Sequence, residues 1–576
     1  MRAGALECLT SAIMTSQPDS STLATAGSSY ASFLLGALQS ASADQGVEWG
    51  TRMPRYALFA QDDWHVTKAL TLSYGLRWDY EAPFYEVQNK FSSFVPTAVN
   101  PGAGGLLGAL QFAGSGADGF GSRNFSKPWH KGFGPRLGLA YQINAKTVIR
   151  TSGGIYYARA GESAQSSPYG YSNTPVFTSP DGYTPIYYLG TGTFPAVPAL
   201  PSLSPSFRNG QSIIYSPPDG DRLPQVITWT FGVQREVARN LSLEATYIGS
   251  RSTHLPFTTN YNPMPLDDLQ YGSTLLQPIT SAAAAAAGIV SPFPAFASQT
   301  GANTVYQALK PYPQYTSVLA GTTGNGGSST GGVADASGQA KYNSLQVKAN
   351  KRFSNGLTLL GWYTWSKSFT WTQGQFPNWR FWQLDPNPAS VLSFSWAYQL
   401  PFGKGKSLLD TNNKAVNAAV AGWKVNGFVR YADGTPLTIT GAGGTLGAIG
   451  YAQWAGAVAG VSPYSVTSPG SFNPGAGTRY LNPAAFTLTT GFNFGNLAPN
   501  ASWIRGFTSK SESLTVGRLF RIRERLMFDF SIDAVNPFNF VRWSNPATNL
   551  ASPSTFGVVT AAATGRTLQV NAKLSF

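Results

Sequence analysis

The sequence predicts an all-β fold, a transmembrane antiparallel β-barrel, from three observations. Segments of strand length alternate apolar and polar residues. The connections between them alternate short and long. The composition is rich in aromatics and poor in charge, yet no apolar run reaches the roughly 18 residues a membrane-spanning helix needs.

The alternation is clearest in KALTLSYGLRWDYE. Leu70, Leu72, Tyr74, Leu76, Trp78 and Tyr80 fall on one face of a strand, and Thr71, Ser73, Gly75, Arg77, Asp79 and Glu81 on the other. VLSFSWAYQLPF repeats the pattern with Leu392, Phe394, Trp396, Tyr398, Leu400 and Phe402 against Ser393, Ser395, Ala397 and Gln399. RLMFDFSIDAV repeats it again, and the chain closes on TLQVNAKLSF, where Leu568, Val570, Ala572, Leu574 and Phe576 form the apolar face. Taken in order, the expected strands are 29–40, 55–65, 69–81, 134–143, 147–158, 226–237, 240–250, 342–353, 356–367, 390–402, 422–432, 511–522, 524–536 and 566–576. These segments run about 10–13 residues, whereas the strands of soluble sheets average about 5–6.

Short connections are HVTK, INAK, VARN, FSNG and RIRE. Long ones are 82–133, 159–225, 251–341, 368–389, 433–510 and 537–565. Turns on the periplasmic side and long loops outside are the signature of an outer-membrane barrel, and the phase is self-consistent when counted back from a periplasmic C-terminus. One connection on the short side, 403–421, is longer than its peers. A propeller would instead show blade repeats of similar length.

Composition agrees. Charged residues are 11% of the chain and aromatics 13%, and Gly (62) and Pro (39) supply many turns. The longest apolar stretch, Ala282–Val290, stops at Ser291-Pro292. A single cysteine, Cys8, excludes an internal disulfide framework, and His65, His130 and His254 lie too far apart in sequence to show ligand spacing. The net charge of +14 calls for an anionic partner, either nucleic acid or the phosphates of a lipopolysaccharide-bearing surface. Scattered basic residues without a basic stripe argue against nucleic acid. The first residues, MRAGALECLTSAIMTSQPDSS, do not read as a signal peptide, because Glu7 and Thr10 break the apolar stretch.

As a set, YALFAQDDWHVTKALTLSYGLRWDYEAP, GFGPRLGLAYQINAKTVIRTSGGIYYAR, WTFGVQREVARNLSLEATYIGSRSTHL, YNSLQVKANKRFSNGLTLLGWYTWSKS and FDFSIDAVNPFNFVRWSNP resemble the barrel of TonB-dependent receptors of the Oar-like, acidobacterial kind, over residues 28–576. The resemblance implies a Gram-negative outer-membrane receptor that takes up an unidentified ligand, with no enzymatic step and no cofactor. It also implies a signal peptide, a carboxypeptidase-regulatory-like β-sandwich, a plug and a barrel of roughly 22 strands. None of the first three is legible here and the strand count is lower, so the expectation is an N-terminally truncated form. Residues 1–28 would be an irregular segment and 29–576 a partial barrel. TonB pulls on the plug, so TonB is an expected partner only if a plug is supplied upstream. The barrel-assembly machinery is expected to read the last strand through Phe576, and lipid and lipopolysaccharide to surround the wall. A passive channel or a surface adhesion scaffold is the competing function.

Motifs of chemistry are weak. GSSTG around Ser329 has the spacing of a nucleophile elbow but sits in a Gly/Ser loop without the strand and helix that elbow needs. GKGKS at Gly403–Ser407 lacks the earlier glycine of a phosphate loop, since Leu400 stands there. Asp62 and Asp63 are strand neighbours and point to opposite faces. Tyr169, Tyr171, Tyr183, Tyr187 and Tyr188 suit either a sugar- or peptide-binding platform or ordinary loop packing. The candidate lumen-facing residues are Arg77, Asp79, Glu81, Glu244, Lys348, Lys424, Arg430, Asp529, Asp533 and Lys573, all on polar strand faces.

Overall fold

The computed structural model describes residues 6–9, 28–48, 50–116, 118–158, 168–179, 184–190, 196–197, 199–299, 303–321, 335–354, 356–376, 379–441, 444–467, 471–522 and 526–576. The protein is mostly β and is dominated by one large antiparallel sheet of fourteen strands. They are β1 (Arg55–His65), β2 (Leu70–Glu81), β3 (Phe133–Asn144), β4 (Thr147–Tyr157), β5 (Gln225–Ala238), β6 (Leu241–Phe257), β7 (Asp335–Ser354), β8 (Leu357–Gln373), β9 (Arg380–Leu384), β10 (Ser390–Gln399), β11 (Trp423–Ala432), β12 (Ser509–Arg521), β13 (Met527–Val535) and β14 (Thr567–Ser575). Each strand pairs with the next along the chain, except that β8 pairs with both β9 and β10. β1 and β14 are the two edges, and among the described residues no pairing joins them. No helix among the described residues is long and apolar enough to cross a membrane.

Thirteen of the expected strands take their places in this sheet; the first does not. In 29–40 the chain forms a helix, Ser29–Leu34, capped by the Ser28 side chain, and then the short strand Ala37–Leu38. Tyr30, Phe33 and Leu34 follow the i, i+3, i+4 spacing of a helix, and Gly36 stops it in the left-handed region (φ 65). The expected irregular segment 1–28 is not irregular throughout, because Leu6–Leu9 pairs with Ser40–Ala43, which in turn pairs with Val176–Thr178. The fourteenth strand of the sheet is instead β9, which lies inside the expected loop 368–389 and extends the end of β8. The connection 403–421 holds a helix, Lys414–Val420, capped by Asn413.

Tight turns join one end of the strands. Asn240 (φ 63) and Gly356 (φ 80) turn the chain between β5 and β6 and between β7 and β8. The turns FSNG and RIRE lie partly outside the described residues, at Asn355 and at 523–525.

Register assigns every side chain of the wall to one of two faces. Tyr56, Leu58 and Trp64 of β1 stand opposite Tyr80, Trp78 and Leu72 of β2, and Phe528 and Ile532 of β13 stand opposite Leu574 and Val570 of β14. This apolar face has no protein cover: Leu58 is 70% exposed and Val570 65%. Large rings shield the backbone where glycine interrupts it. The Trp229 indole lies over Gly249 and the Trp396 indole over Gly427, each occupying the space a Cβ would take.

Because the wall turns its apolar face outward, the large buried side chains lie in the long connections. Among the described residues three cores form there. One joins Leu437, Tyr480, Phe486 and Phe556; a second joins Met264, Phe293, Phe296, Leu446 and Ala103; a third joins Phe94, Leu110, Ile213, Tyr315 and Val318. Each draws on at least two different connections, so the long loops form a folded cap at one end of the sheet.

Candidate functional site

The ten candidate residues all fall on the polar face, and register brings several together. Gln234, Glu244, Lys348, Trp362, Ser393 and Arg430 form one continuous cross-strand row from β5 to β11, so Glu244 stands directly opposite Lys348. Thr246 donates its hydroxyl to Glu244 Oε1 (3.3 Å). Asp529 stands opposite Lys573 across β13 and β14. Asp533 accepts from Asn571 Nδ2. Arg77 Nε donates to both carboxylate oxygens of Asp79 at 2.9 Å. Glu81 is buried and takes an ion pair at 2.7 Å from Arg55 Nε on the neighbouring strand. Lys424 lies opposite Gln399, away from the Glu244 row.

Residues outside that set share the face. Arg150 donates to Gln234 Oε1 at 2.7 Å. With Ser73, Ser152, Thr230, Glu244 and Thr246 they line a depression of about 390 Å³. Arg136 lies over the Tyr156 ring at 4.7 Å. The signal for Arg150 was present in TVIRTSGGIYY, where it alternates with Val148, Ser152 and Gly154. Arg55, at the first position of its strand, has no flanking alternation to mark it.

Asp62 and Asp63 do lie on opposite faces: Asp62 is opposite Tyr74, whose hydroxyl donates to Asp62 Oδ2 (3.0 Å), and Asp63 is opposite Ser73. Gly403 and Gly405 sit in a turn with positive φ, and Gly405 N–H is taken by Asp410 Oδ1 (2.8 Å). Ser329 and the whole GSSTG segment lie outside the described residues, as does Tyr183. The other loop tyrosines separate. Tyr171 packs edge-on against Phe112 (6.1 Å), Tyr169 lies under the Arg208 guanidinium (4.4 Å), and Tyr187-Tyr188 pairs with Ala37–Leu38. Tyr169 and Tyr171 pack against one core, that of Phe94 and Tyr315, and Tyr187-Tyr188 belongs to a separate strand pair. Among the described residues no group of three or more His, Cys, Asp or Glu could hold a metal ion.

The cap is keyed by polar contacts between remote segments. Asn100, fully buried, donates to Asn209 Oδ1 (2.8 Å) and the Tyr315 hydroxyl (3.1 Å) and accepts from Ser206 Oγ (2.7 Å), tying three connections at one point. Lys310 donates to Gln307 Oε1 (2.8 Å) and the Thr316 carbonyl (2.7 Å), and burial pushes its ammonium down to about 8. Arg380 ties β9 to Asp335 at 3.3 Å and to Thr259 Oγ1 at 2.9 Å. An aromatic cluster of Phe376, Trp379, Phe381 and Trp454 lies beside it, with Trp379 stacked on both phenylalanines at 5.2 and 5.6 Å.

A wall with one bare apolar face and one polar face, capped by folded loops, defines a membrane β-barrel protein. The chain matches the family model described as outer membrane beta barrel domain over residues 8–569, and it belongs to that family. It is a protein of the outer membrane. Comparison with curated protein sequences finds no match. Among solved structures it is similar to the ferripyoverdine receptor of the outer membrane of Pseudomonas aeruginosa, with 11% identity, 91% of this chain and 39% of that chain covered, and a TM-score of 0.36. It is also similar to the ferric-catecholate import receptor Fiu of E. coli K12, with 11% identity, 94% and 47% covered, and a TM-score of 0.37. A third is the ferric enterobactin receptor PfeA of Pseudomonas aeruginosa, with 9% identity, 91% and 45% covered, and a TM-score of 0.37. The chain thus spans less than half the length of each of these three.

Phe576 follows the last residue of β14 and is 97% exposed, on the side of Leu574 and Val570. Deleting it, or making Phe576→Asp, is expected to reduce insertion of the chain. A charge near an interface costs only about 0–1 kcal/mol by partitioning, so a large loss reports failed recognition during assembly. Unchanged yield of the heat-modifiable folded band would remove Phe576 from that role.

Proposed function

We propose that this chain is the barrel of an outer-membrane receptor and transporter of the TonB-dependent type, with the tight turns in the periplasm and the long loops outside. The observation that carries this is the cap. Its connections are long and fold on cores of their own, above a wall whose polar face presents the rows Glu244–Lys348–Arg430 and Asp529–Lys573. In this reading the polar face lines the lumen, the cap receives the ligand, and the charged rows meet either a plug or the passing ligand. TonB would act only on a plug supplied from sequence preceding residue 1. No enzymatic step or cofactor enters the proposal.

Two measurements test it. The first is orientation. In a Cys8→Ser background, Val290→Cys, at a residue 79% exposed in the loop after β6, is expected to react with a membrane-impermeant maleimide on intact cells. Ser354→Cys in the FSNG turn is expected to stay unlabelled until the cells are opened. Equal labelling of both would overturn the orientation. The second is energy coupling. With the chain and its upstream sequence expressed from their own locus, growth on nutrients too large for general porins is expected to require both this gene and TonB. Growth that needs the gene but not TonB would establish the passive channel instead.

A further inference from the structure

We propose that the outward face of β6–β8, at the loop-side edge of the apolar band, binds the phosphate groups of an anionic glycolipid through Arg251, Lys341 and Lys367. The inference rests on the proposed orientation, which places this edge at the outer leaflet.

Register puts the three cations together. Arg251 stands directly opposite Lys341. Lys341 stands opposite Phe369 and Asn343 opposite Lys367, so Lys341 and Lys367 are diagonal neighbours on one face. That face is the apolar one. Directly below them lie Tyr247, Leu345 and Trp365 in one row, then Val347 opposite Tyr363. These side chains are bare, Trp365 at 50% and Leu345 at 41% exposure.

Depth agrees. Arg251 and Lys367 each stand ten residues beyond the first residue of their strand, counted from the turn end. At about 3.3 Å per residue and a tilt near 45°, that is a rise of about 23 Å along the membrane normal, against an apolar band about 25 Å tall. The cations therefore stand where hydrocarbon gives way to headgroups.

Their charges are uncompensated. Like charges directly opposite one another on a sheet are destabilising, and among the described residues none of the three forms a salt bridge. Arg251 has one long hydrogen bond, to Gln339 Oε1 at 3.4 Å. Lys341 is held instead by rings, its Nζ 4.3 Å from the centre of Trp382 and 4.8 Å from that of Phe369. Another charge on the same face, Glu512, opposite Val429, is neutralised within the protein by Arg542 at 2.7 Å. Three neighbouring cations above an aromatic and aliphatic surface fit a phosphate joined to acyl chains. A free phosphate would meet the charges alone and leave the apolar surface unused.

The test uses the chain extracted from outer membranes in a neutral detergent and stripped of lipid. The probes are a bisphosphorylated, acylated glucosamine disaccharide, its dephosphorylated form, phosphatidylglycerol and inorganic phosphate. The bisphosphorylated glycolipid is expected to bind, and Lys341→Gln with Lys367→Gln to weaken it at least tenfold. Lys341→Arg with Lys367→Arg should retain it, and Lys351→Gln, a control at the turn end of the same strand, should not change it. Where the double Gln variant loses its heat-modifiable band, Arg251→Gln is read by the same criterion. Unchanged binding in the Gln variants, equal binding of the dephosphorylated form, tighter binding of phosphatidylglycerol, or displacement by inorganic phosphate at the glycolipid's own concentration would each overturn the proposal. The maleimide labelling of Val290→Cys reports orientation separately, so failure of this site and failure of the topology are distinguishable.

Discussion

Leu76→Arg is expected to cost about 2–4 kcal/mol of folding stability in a bilayer, because it places a guanidinium in hydrocarbon near mid-strand. Leu76 lies halfway along β2, opposite Ala60 of β1 and Pro135 of β3, and is 49% exposed on the apolar face. Leu72→Arg stands nearer the turn and should cost less. The matching change on the other face is Ser73→Arg, which enters the depression lined by Gly138, Ser152 and Thr230 and should leave insertion intact. Gly75→Arg would be a poorer control, because a Cβ there comes within 2.9 Å of Gln61 Cβ and 3.0 Å of the Ala60 carbonyl oxygen. The measurement is denaturant unfolding in lipid vesicles followed by heat-modifiable mobility. Equal losses for Leu76→Arg and Ser73→Arg would contradict the assignment of faces, as would release of folded protein by salt in the absence of detergent.

Phe94→Ala should open the cap while leaving the wall in place. Phe94 is 1% exposed and meets Tyr312, Tyr315 and Tyr215 edge-on at 4.8, 5.7 and 5.8 Å. Removing a buried phenyl ring costs about 3–5 kcal/mol where the cavity cannot collapse. Here the neighbours belong to different connections, held near Asn100, so collapse is restricted. The expected result is faster hydrogen exchange and proteolysis in residues 91–112, 207–215 and 312–318, with unchanged exchange in β2–β5 and unchanged insertion. Loss of the folded band as a whole would show that cap and wall fold as one unit, contrary to this expectation.

The sequence alone determined the wall. Strand formation against lipid is written in a period of two, and that period is local: Leu70 to Tyr80 carries its own face assignment without reference to any other strand. The same parity placed all ten charged candidates on one face, and the alternation of turn and loop lengths set the order of pairing. Where the local signal was of another kind, the reading failed. Residues 29–40 carry helical spacing and a helix-ending Gly36, and form a helix. β9 is only five residues long, too short to show alternation, and exists because β8 extends beyond its pairing with β10 to meet it.

Only the tertiary structure decided the rest. The cap cores join Phe94 to Tyr315 and Tyr480 to Phe556, and no local pattern encodes a contact across such separations. The ion pair Arg55–Glu81 and the row Glu244–Lys348–Arg430 depend on register, which fixes which of several polar residues stand opposite one another. The cluster Arg251, Lys341 and Lys367 has the same origin. Each cation sits alone in its own segment, and becomes one of three only when β6, β7 and β8 align. Facing is a property of one strand's periodicity, whereas adjacency is a property of the folded sheet.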